Sequence, residues 1–300
     1  MDREGIVLVD KPAHITSRRA VDYIMEMLKV KRAGHFGSLD PFATGLLCIG
    51  VGQGTKLLPF MYAQEKEYCA LIGLEMSTDT DDITGSPLKR FDTVHVNVEE
   101  ARRWFSRHTG WINQVPPEYC AQKYRGKPLY KLKRANKDVS PRPKQVYIES
   151  AEILDSGDEW MKVKIVCSRG TYIRAIARDI GQALGYGGYL RELRRTRSEG
   201  FHVKDAYTIE EISQRIQEGR EVVIPLTDAV HLPKARVTRI GETGIREGHP
   251  IQVSWILDDV DAPHGAYVAL MNGDRHLLCI ARVERDGGIF GYIERGFRPY

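Results

Sequence analysis

Asp40 stands in Gly34-His35-Phe36-Gly37-Ser38-Leu39-Asp40-Pro41-Phe42-Ala43-Thr44-Gly45, a run too irregular for a helix face or an alternating strand. Gly34, Gly37 and Gly45 permit backbone angles and close approaches that other residues resist. Pro41 fixes its own φ and biases Asp40 away from the α region. A carboxylate on a stiff loop, beside apolar Leu39 and Phe42, suits a nucleophile or general base kept ionised by a nearby cation. The same pattern suits a turn whose aspartate caps the next helix, and spacing leaves both readings open. His35, five residues earlier, is too far away for a hydrogen bond to Asp40 to be assumed. It reads equally as a residue that holds the loop and as a catalytic one.

Two further segments carry chemistry. Ser168-Arg169-Gly170-Thr171-Tyr172-Ile173-Arg174 joins a strand to a helix, whose free amides favour an anion. Arg174 falls in the first turn, where a cation gains nothing from the helix dipole. A carboxylate partner elsewhere would explain it, and Asp40 is a candidate that spacing does not confirm. Between Gln122 and Gln145, nine lysines and arginines face only Asp138, and Tyr119, Tyr124 and Tyr130 are interleaved with them. Aromatic faces stack on unpaired bases while cations meet phosphates, so this stretch favours a nucleic acid. Arg191, Arg194, Arg195 and Arg197 form a second cationic concentration, and the two together suggest a polyanionic partner.

Other motifs fail on inspection. Gly50-Val51-Gly52-Gln53-Gly54-Thr55-Lys56 has neither the dinucleotide spacing nor the phosphate-loop spacing, and reads as a turn before a helix. Thr78 to Gly85 lacks the terminal glutamate of a calcium loop, so its aspartates and threonines are expected to satisfy turn amides. The five scattered cysteines contain no Cys-x-x-Cys pair, and the histidines no His-x-x-x-His pair; neither a disulfide framework nor a metal site is expected.

The elements that must position these groups follow from periodicity. Ile6 to Val9 and Lys66 to Leu74 read as strands, the latter with Tyr68, Ala70 and Ile72 on one face. Met161 to Cys167 alternates clearly, and Val146 to Ile148 is strand-like. Helices are expected after Thr16, from about Asn97 to His108, and from Tyr172 to Leu184. Helix-like sequence ends at Ile224-Pro225, and a boundary falls near Leu226 to Ala235. Beyond it, short apolar runs between glycine-rich turns predict a small β-barrel. Three hundred residues suit one large and one small domain. With 42% apolar residues, no membrane-length apolar run and no signal-peptide pattern, a cytoplasmic globular protein is expected.

Taken in order, these segments resemble the bacterial tRNA pseudouridine synthase B family over nearly the whole chain. Asp10-Lys11-Pro12 with Thr16-Ser17 is similar to its first motif, and Gly34 to Gly45 to its catalytic motif. Lys66 and Tyr68, Thr78-Asp79-Thr80 with Asp82 and Gly85, and Gln114 to Tyr130 follow. Gly170 to Arg174 and Leu193-Arg194-Arg195-Thr196 complete the set. His14, Phe36 and Cys120 depart from the usual family residues. The resemblance implies an α+β fold: a mixed, mostly antiparallel sheet flanked by helices over residues 1–230, with an RNA-binding insertion at about 114–145. Residues 231–300 resemble a PUA domain.

The implied activity is isomerisation of the T-loop uridine at tRNA position 55 to pseudouridine. No cofactor, guide RNA, protein partner or membrane is implied. Asp40, Tyr68 and Arg174 would be catalytic: the aspartate initiates C1′–N1 cleavage, the tyrosine stacks on the base, and the arginine pairs with the aspartate. His35, Lys11, Gly37, Leu39, Lys123, Tyr124, Arg125, Tyr172, Leu193 and Arg194 would bind the RNA. The rival reading is a non-catalytic tRNA-binding or tRNA-folding protein.

Overall fold

A computed structural model describes residues 4–61, 65–135, 137 and 139–298, leaving aside the side chains of Lys123, Tyr130 and Arg134. The first half runs β1 (Gly5–Lys11), α1 (Ser17–Leu28), β2 (Ala33–His35), β3 (Thr44–Val51), a 3-10 helix (Gly52–Phe60) and β4 (Lys66–Gly73). A small ribbon, β5 (Met76–Thr78) and β6 (Pro87–Arg90), precedes α2 (Val98–Arg107) and β7 (Gly110–Gln114). The insertion then folds as a hairpin, β8 (Lys123–Tyr124) and β9 (Lys127–Pro128), followed by α3 (Leu129–Arg134). Arg125 and Gly126 both take positive φ, as a two-residue hairpin turn requires. The chain returns through β10 (Lys144–Ser156), β11 (Trp160–Cys167), α4 (Ile173–Ala183) and β12 (Tyr189–Ser198). Next come β13 (Phe201–His202), α5 (Ile209–Gln217), β14 (Ile224–Pro225) and α6 (Leu226–Ala229). The C-terminal unit is β15 (Lys234–Arg236), α7 (Arg239–Glu247), β16 (Ile251–Gln252), β17 (Tyr267–Met271), β18 (Leu277–Asp286) and β19 (Ile289–Gly296).

The main sheet has the order β14-β1-β3-β12-β4-β11-β10-β7, with β2 on β3 and β13 on β12. Every pairing is antiparallel except β12 with β3. The mixed, mostly antiparallel α+β core is therefore as expected. Ile224-Pro225, expected to close a helix, instead pairs with Gly5-Ile6 as a short edge strand, a position that tolerates proline. The main omission from the expected elements is β12, the central strand that separates β3 from β4.

Alternation explains the layers. Tyr68, Ala70 and Ile72 of β4 share a core with Val163 and Ile165 of β11, roofed by Phe105 of α2 and Ile176 and Ile180 of α4. Val7, Val9, Leu47 and Ile49 pack under α1 and α5, while Ile6, Leu8, Leu46 and Cys48 face the other way. There they meet Ala269, Leu277, Ile280 and Phe297 of the C-terminal unit. That unit is a curled five-strand half-barrel, β15-β17-β18-β19-β16, with its own core. No helix among the described residues is long and apolar enough to cross a membrane.

Candidate active site

The loop between β2 and β3 carries Asp40 and is pinned from several elements. Ser17, at the start of α1, accepts from the Leu39 amide at 2.8 Å and donates to the Leu39 carbonyl at 3.0 Å. The His14 amide donates to the Pro41 carbonyl at 2.8 Å, and the Ala43 amide closes a turn onto Asp40. His14 sits at φ 68°, in the region glycine enters without strain, so the departure from the family residue falls at a left-handed position. Gly37 and Gly45 also take positive φ, and a Cβ on Gly45 would lie 2.3 Å from the Arg195 carbonyl oxygen.

Lys11 is fully buried. Its ammonium donates to the carbonyls of Pro12 (2.7 Å), Ile15 (3.0 Å) and Pro41 (3.3 Å), which uses all three of its donors. Burial pushes its pKa down to about 8, with the charge of Asp40 opposing. Lys11 thus fastens the loop from within, and the expectation that it binds RNA directly is corrected.

Arg174 meets Asp40, as its place in the first turn of α4 had suggested. Its Nε lies 2.9 Å from Oδ2 and its Nη2 donates to Oδ1 at 3.2 Å. The same guanidinium donates to the carbonyls of Thr80 (2.9 Å) and Tyr119 (3.1 Å) and stands 3.5 Å from Asp82. Asp82, read from sequence as a turn residue, is thus a second carboxylate on this cation. Its Oδ1 accepts from the hydroxyls of Thr80 and Thr84 and from the Thr84 amide, which fixes it. Neighbouring Asp81 pairs with Arg178 at 3.0 Å, and burial raises its pKa to about 6. The three aspartates in four residues, Asp79, Asp81 and Asp82, were the available signal; what they neutralise was not.

A cleft of about 230 Å³ opens above this pair, lined by Gly37, Leu39, Asp40, Tyr68, Tyr172 and Leu193 among others. Asp40 keeps 36% of its side chain exposed. Burial raises its pKa, Arg174 opposes that rise, and Asp82 adds to it. Tyr68 is buried on β4 with its ring at the cleft, and burial raises the pKa of its phenol against the charge of Arg195. The Tyr172 amide and carbonyl are both held by the Gln114 side chain, at 2.8 and 3.0 Å. Leu193 faces the cleft from β12, opposite Ala70.

Arg195 was missed as a site residue. It is 1% exposed and donates to the carbonyls of Leu46 (2.7 Å), Ser38 (3.3 Å) and Gly37 (3.2 Å). Beneath it Lys66 and the fully buried Glu199 approach to 3.5 Å. Burial lowers the Lys66 pKa to about 8.

The other expected residues scatter. Arg194 is turned to a bidentate pair with Asp10, at 2.6 and 3.0 Å. His35 is half-buried on β2, outside the cleft lining. Burial, then Arg195 and Lys66, hold its pKa below the usual histidine value. Tyr124 packs on the insertion's small core of Cys120, Leu129 and Leu132, which Tyr172 also touches, so that core abuts the cleft. Arg125 is exposed, 5.5 Å over the Tyr124 ring. The Lys123 side chain lies outside the described residues. Among those described, no three His, Cys, Asp or Glu residues are grouped to hold a metal ion.

The chain is similar to known proteins along most of its length. Residues 25–173 match the model of the TruB family pseudouridylate synthase N-terminal domain. Residues 174–231 match that of the tRNA pseudouridylate synthase B C-terminal domain. The chain is 36% identical over 288 residues to the tRNA pseudouridine synthase B of Geobacter sulfurreducens, covering 95% of this chain and 91% of that one. It is 37% identical over 279 residues to that of Thermobifida fusca, covering 89% and 94%. Its fold superposes with a TM-score of 0.76 on a chain of an H/ACA ribonucleoprotein bound to a substrate RNA containing 2′-deoxyuridine. The identity there is 24%, and the match covers 99% of this chain and 86% of that one. A chain of an archaeal box H/ACA small ribonucleoprotein complex gives a TM-score of 0.74 at 25% identity, covering 99% and 87%. With two family models spanning residues 25–231 and relatives this similar along their length, the chain belongs to the TruB family of pseudouridylate synthases.

Proposed function

We propose that this protein isomerises the T-loop uridine at tRNA position 55 to pseudouridine, with Asp40 as the initiating carboxylate. The observation that carries the reading is the Asp40–Arg174 pair at the floor of a cleft walled by Tyr68 and Leu193. The cleft is smaller than the pockets that take drug-sized ligands and is in scale with one nucleobase. A base reaches such a site only after leaving its stack. The flipped uracil lies against the Tyr68 ring, with Leu193 and Leu39 excluding water.

Arg174 supplies a fixed cation that favours ionised Asp40 against the cost of its burial. The C1′–N1 bond breaks, the uracil turns, and C5 bonds to C1′. The proton leaving C5 is replaced by one on N1, so the sum of atoms is unchanged and no redox partner enters. Tyr68 is the side chain placed to manage the C5 proton. His35 and the exposed cations of the insertion hold the surrounding RNA.

The enzyme acts on bare tRNA in the cytoplasm, without guide RNA or protein partner. Its catalytic unit is residues 1–230, and residues 231–300 are a PUA-like unit that holds further RNA.

The test is to incubate protein with unmodified tRNA transcript and map pseudouridine by carbodiimide-dependent reverse-transcription stops. A stop at position 55 is expected, absent with Asp40→Asn although that variant still binds the RNA. Turnover by Asp40→Asn would remove Asp40 from the reaction, and turnover only with an added guide RNA would overturn the stand-alone reading.

A further inference from the structure

β7 and β10 are the two strands from which the insertion leaves and to which it returns. Gln114 ends the first and Lys144 begins the second. Three residues from each root, Trp111 and Tyr147 stand directly opposite one another, their rings in edge contact at 5.4 Å. Trp111 is 71% exposed, more than any other large aromatic side chain among the described residues, and Tyr147 is 37% exposed. Between this pair and the insertion, Asn113 and Gln145 form the next opposed pair on the same face, both exposed.

This face looks away from the cleft. Ile148 pairs with Cys167 and Ile165 with Tyr68, so Val146 and Ile148 share the Tyr68 face, and all are buried in one core. Tyr147 and Trp111 point to the opposite side.

The strip therefore consists of two aromatic rings and two amides. The Ser168 side chain receives the Tyr147 amide on its flank, and the next residue, Arg169, is exposed. Exposed Arg142 lies at the insertion end, and Glu149 closes the far end against Glu65.

We infer that this strip is a second RNA-contacting surface, which stacks an unpaired nucleotide of the tRNA lying outside the T stem-loop. The inference rests on the tRNA reading above. Rings on an open sheet face are how single-stranded bases are held, and neighbouring amides read base edges. The strip continues directly into the basic insertion. Its two rings are interrupted by the polar side chains of Asn113, Gln145 and Ser168, unlike the apolar core of a stable protein interface. Because cleft and strip face opposite ways, the stacked base is remote from the flipped uridine.

The test compares the dissociation constants of full-length tRNA transcript and of the isolated T stem-loop for Trp111→Ala/Tyr147→Ala. Binding of full-length tRNA is expected to weaken about tenfold or more, with T stem-loop binding unchanged. Trp111→Phe/Tyr147→Phe should recover most of the loss, since the rings and not the polar tips carry it. An unchanged constant for full-length tRNA, or an equal loss on both RNAs, overturns the inference. So does a concentration-dependent dimer that the double alanine variant abolishes, because the strip would then join copies of the chain. Turnover of the T stem-loop by the unsubstituted protein tests the activity separately.

Discussion

The insertion and β12 are the two cation-rich regions of this molecule, and they use their charges in opposite ways. In the insertion Arg125, Lys127, Lys131, Lys137 and Arg142 are exposed, and Lys133 pairs with Glu118 at 2.9 Å. In β12 every arginine has an internal partner. Arg191 reaches Glu75 at 2.7 Å, Arg194 takes Asp10, Arg197 lies 3.5 Å from Glu65, and Arg195 holds backbone carbonyls. Reading both concentrations as surfaces for a polyanion is therefore corrected for β12. The difference follows from position. Among the described residues the insertion's core holds three buried apolar side chains, so the cations around it stay in water, where a cation is free to meet phosphate. A central strand has neighbours on both edges, and a cation there must find an acceptor or go unsatisfied.

The sharpest way to break this contrast is to remove the most buried cation. Arg195→Met leaves the Gly37, Ser38 and Leu46 carbonyls without their donor. A loss of about 3 kcal/mol is expected, read as a lower midpoint in thermal or denaturant unfolding. Arg195→Lys should keep more of the stability yet lower kcat more than it raises KM, because a single ammonium cannot hold both ends of the Asp40 loop. An unfolding midpoint equal to that of the parent would show that β12 does not need its charge.

The opposite test is Arg125→Ala/Lys127→Ala/Lys131→Ala. Stability should change by less than about 0.5 kcal/mol. The slope of log affinity against log salt should fall by up to about 2–3 in a filter-binding titration. An unchanged slope would place the phosphate contacts elsewhere.

A third measurement concerns the cleft. Burial raises the Asp40 pKa, so the ionised form is lost as pH falls through a value above that of an ordinary aspartate. The acid limb of kcat/KM should lie correspondingly high, and Arg174→Gln should move it higher by removing the opposing cation. A limb at the ordinary carboxylate value would contradict the role of Asp40.

The smallest effect is expected at Arg194→Ala. Its pair with Asp10 is partly exposed, and such pairs contribute about 1 kcal/mol or less. A large loss of tRNA affinity in that variant would restore Arg194 as an RNA contact.

Much of the architecture was legible because alternation was intact. Tyr68, Ala70 and Ile72 in β4, and Val163 and Ile165 in β11, mark their buried face with period two. Thr16 caps α1 through the Arg19 amide, as its position had suggested. β12 was not legible, for a physical reason: its register slips between Leu190 and Glu192 and again between Arg195 and Arg197. Each slip breaks the period, and a buried arginine falls where an apolar residue would be sought. In β10 a similar shift after Ile148 hid most of a thirteen-residue strand. Within the site, a cation in the first turn of α4 called for an acid. That the acid was two aspartates, from the loop and from the Thr78–Gly85 turn, is a tertiary fact that no local pattern holds.

The place of β12 between β3 and β4 also bears on the order in which the protein can be made. Strands adjacent in sequence often pair early, but here the partner of β4 and of the Thr44–Gly45 end of β3 lies well over a hundred residues downstream. A nascent chain stopped before Tyr189 leaves those edges open and lacks the guanidinium that ties Gly37 and Ser38 in place. The Asp40 loop is synthesised early and fixed late, so a partly translated chain has the loop's sequence without the geometry of the cleft.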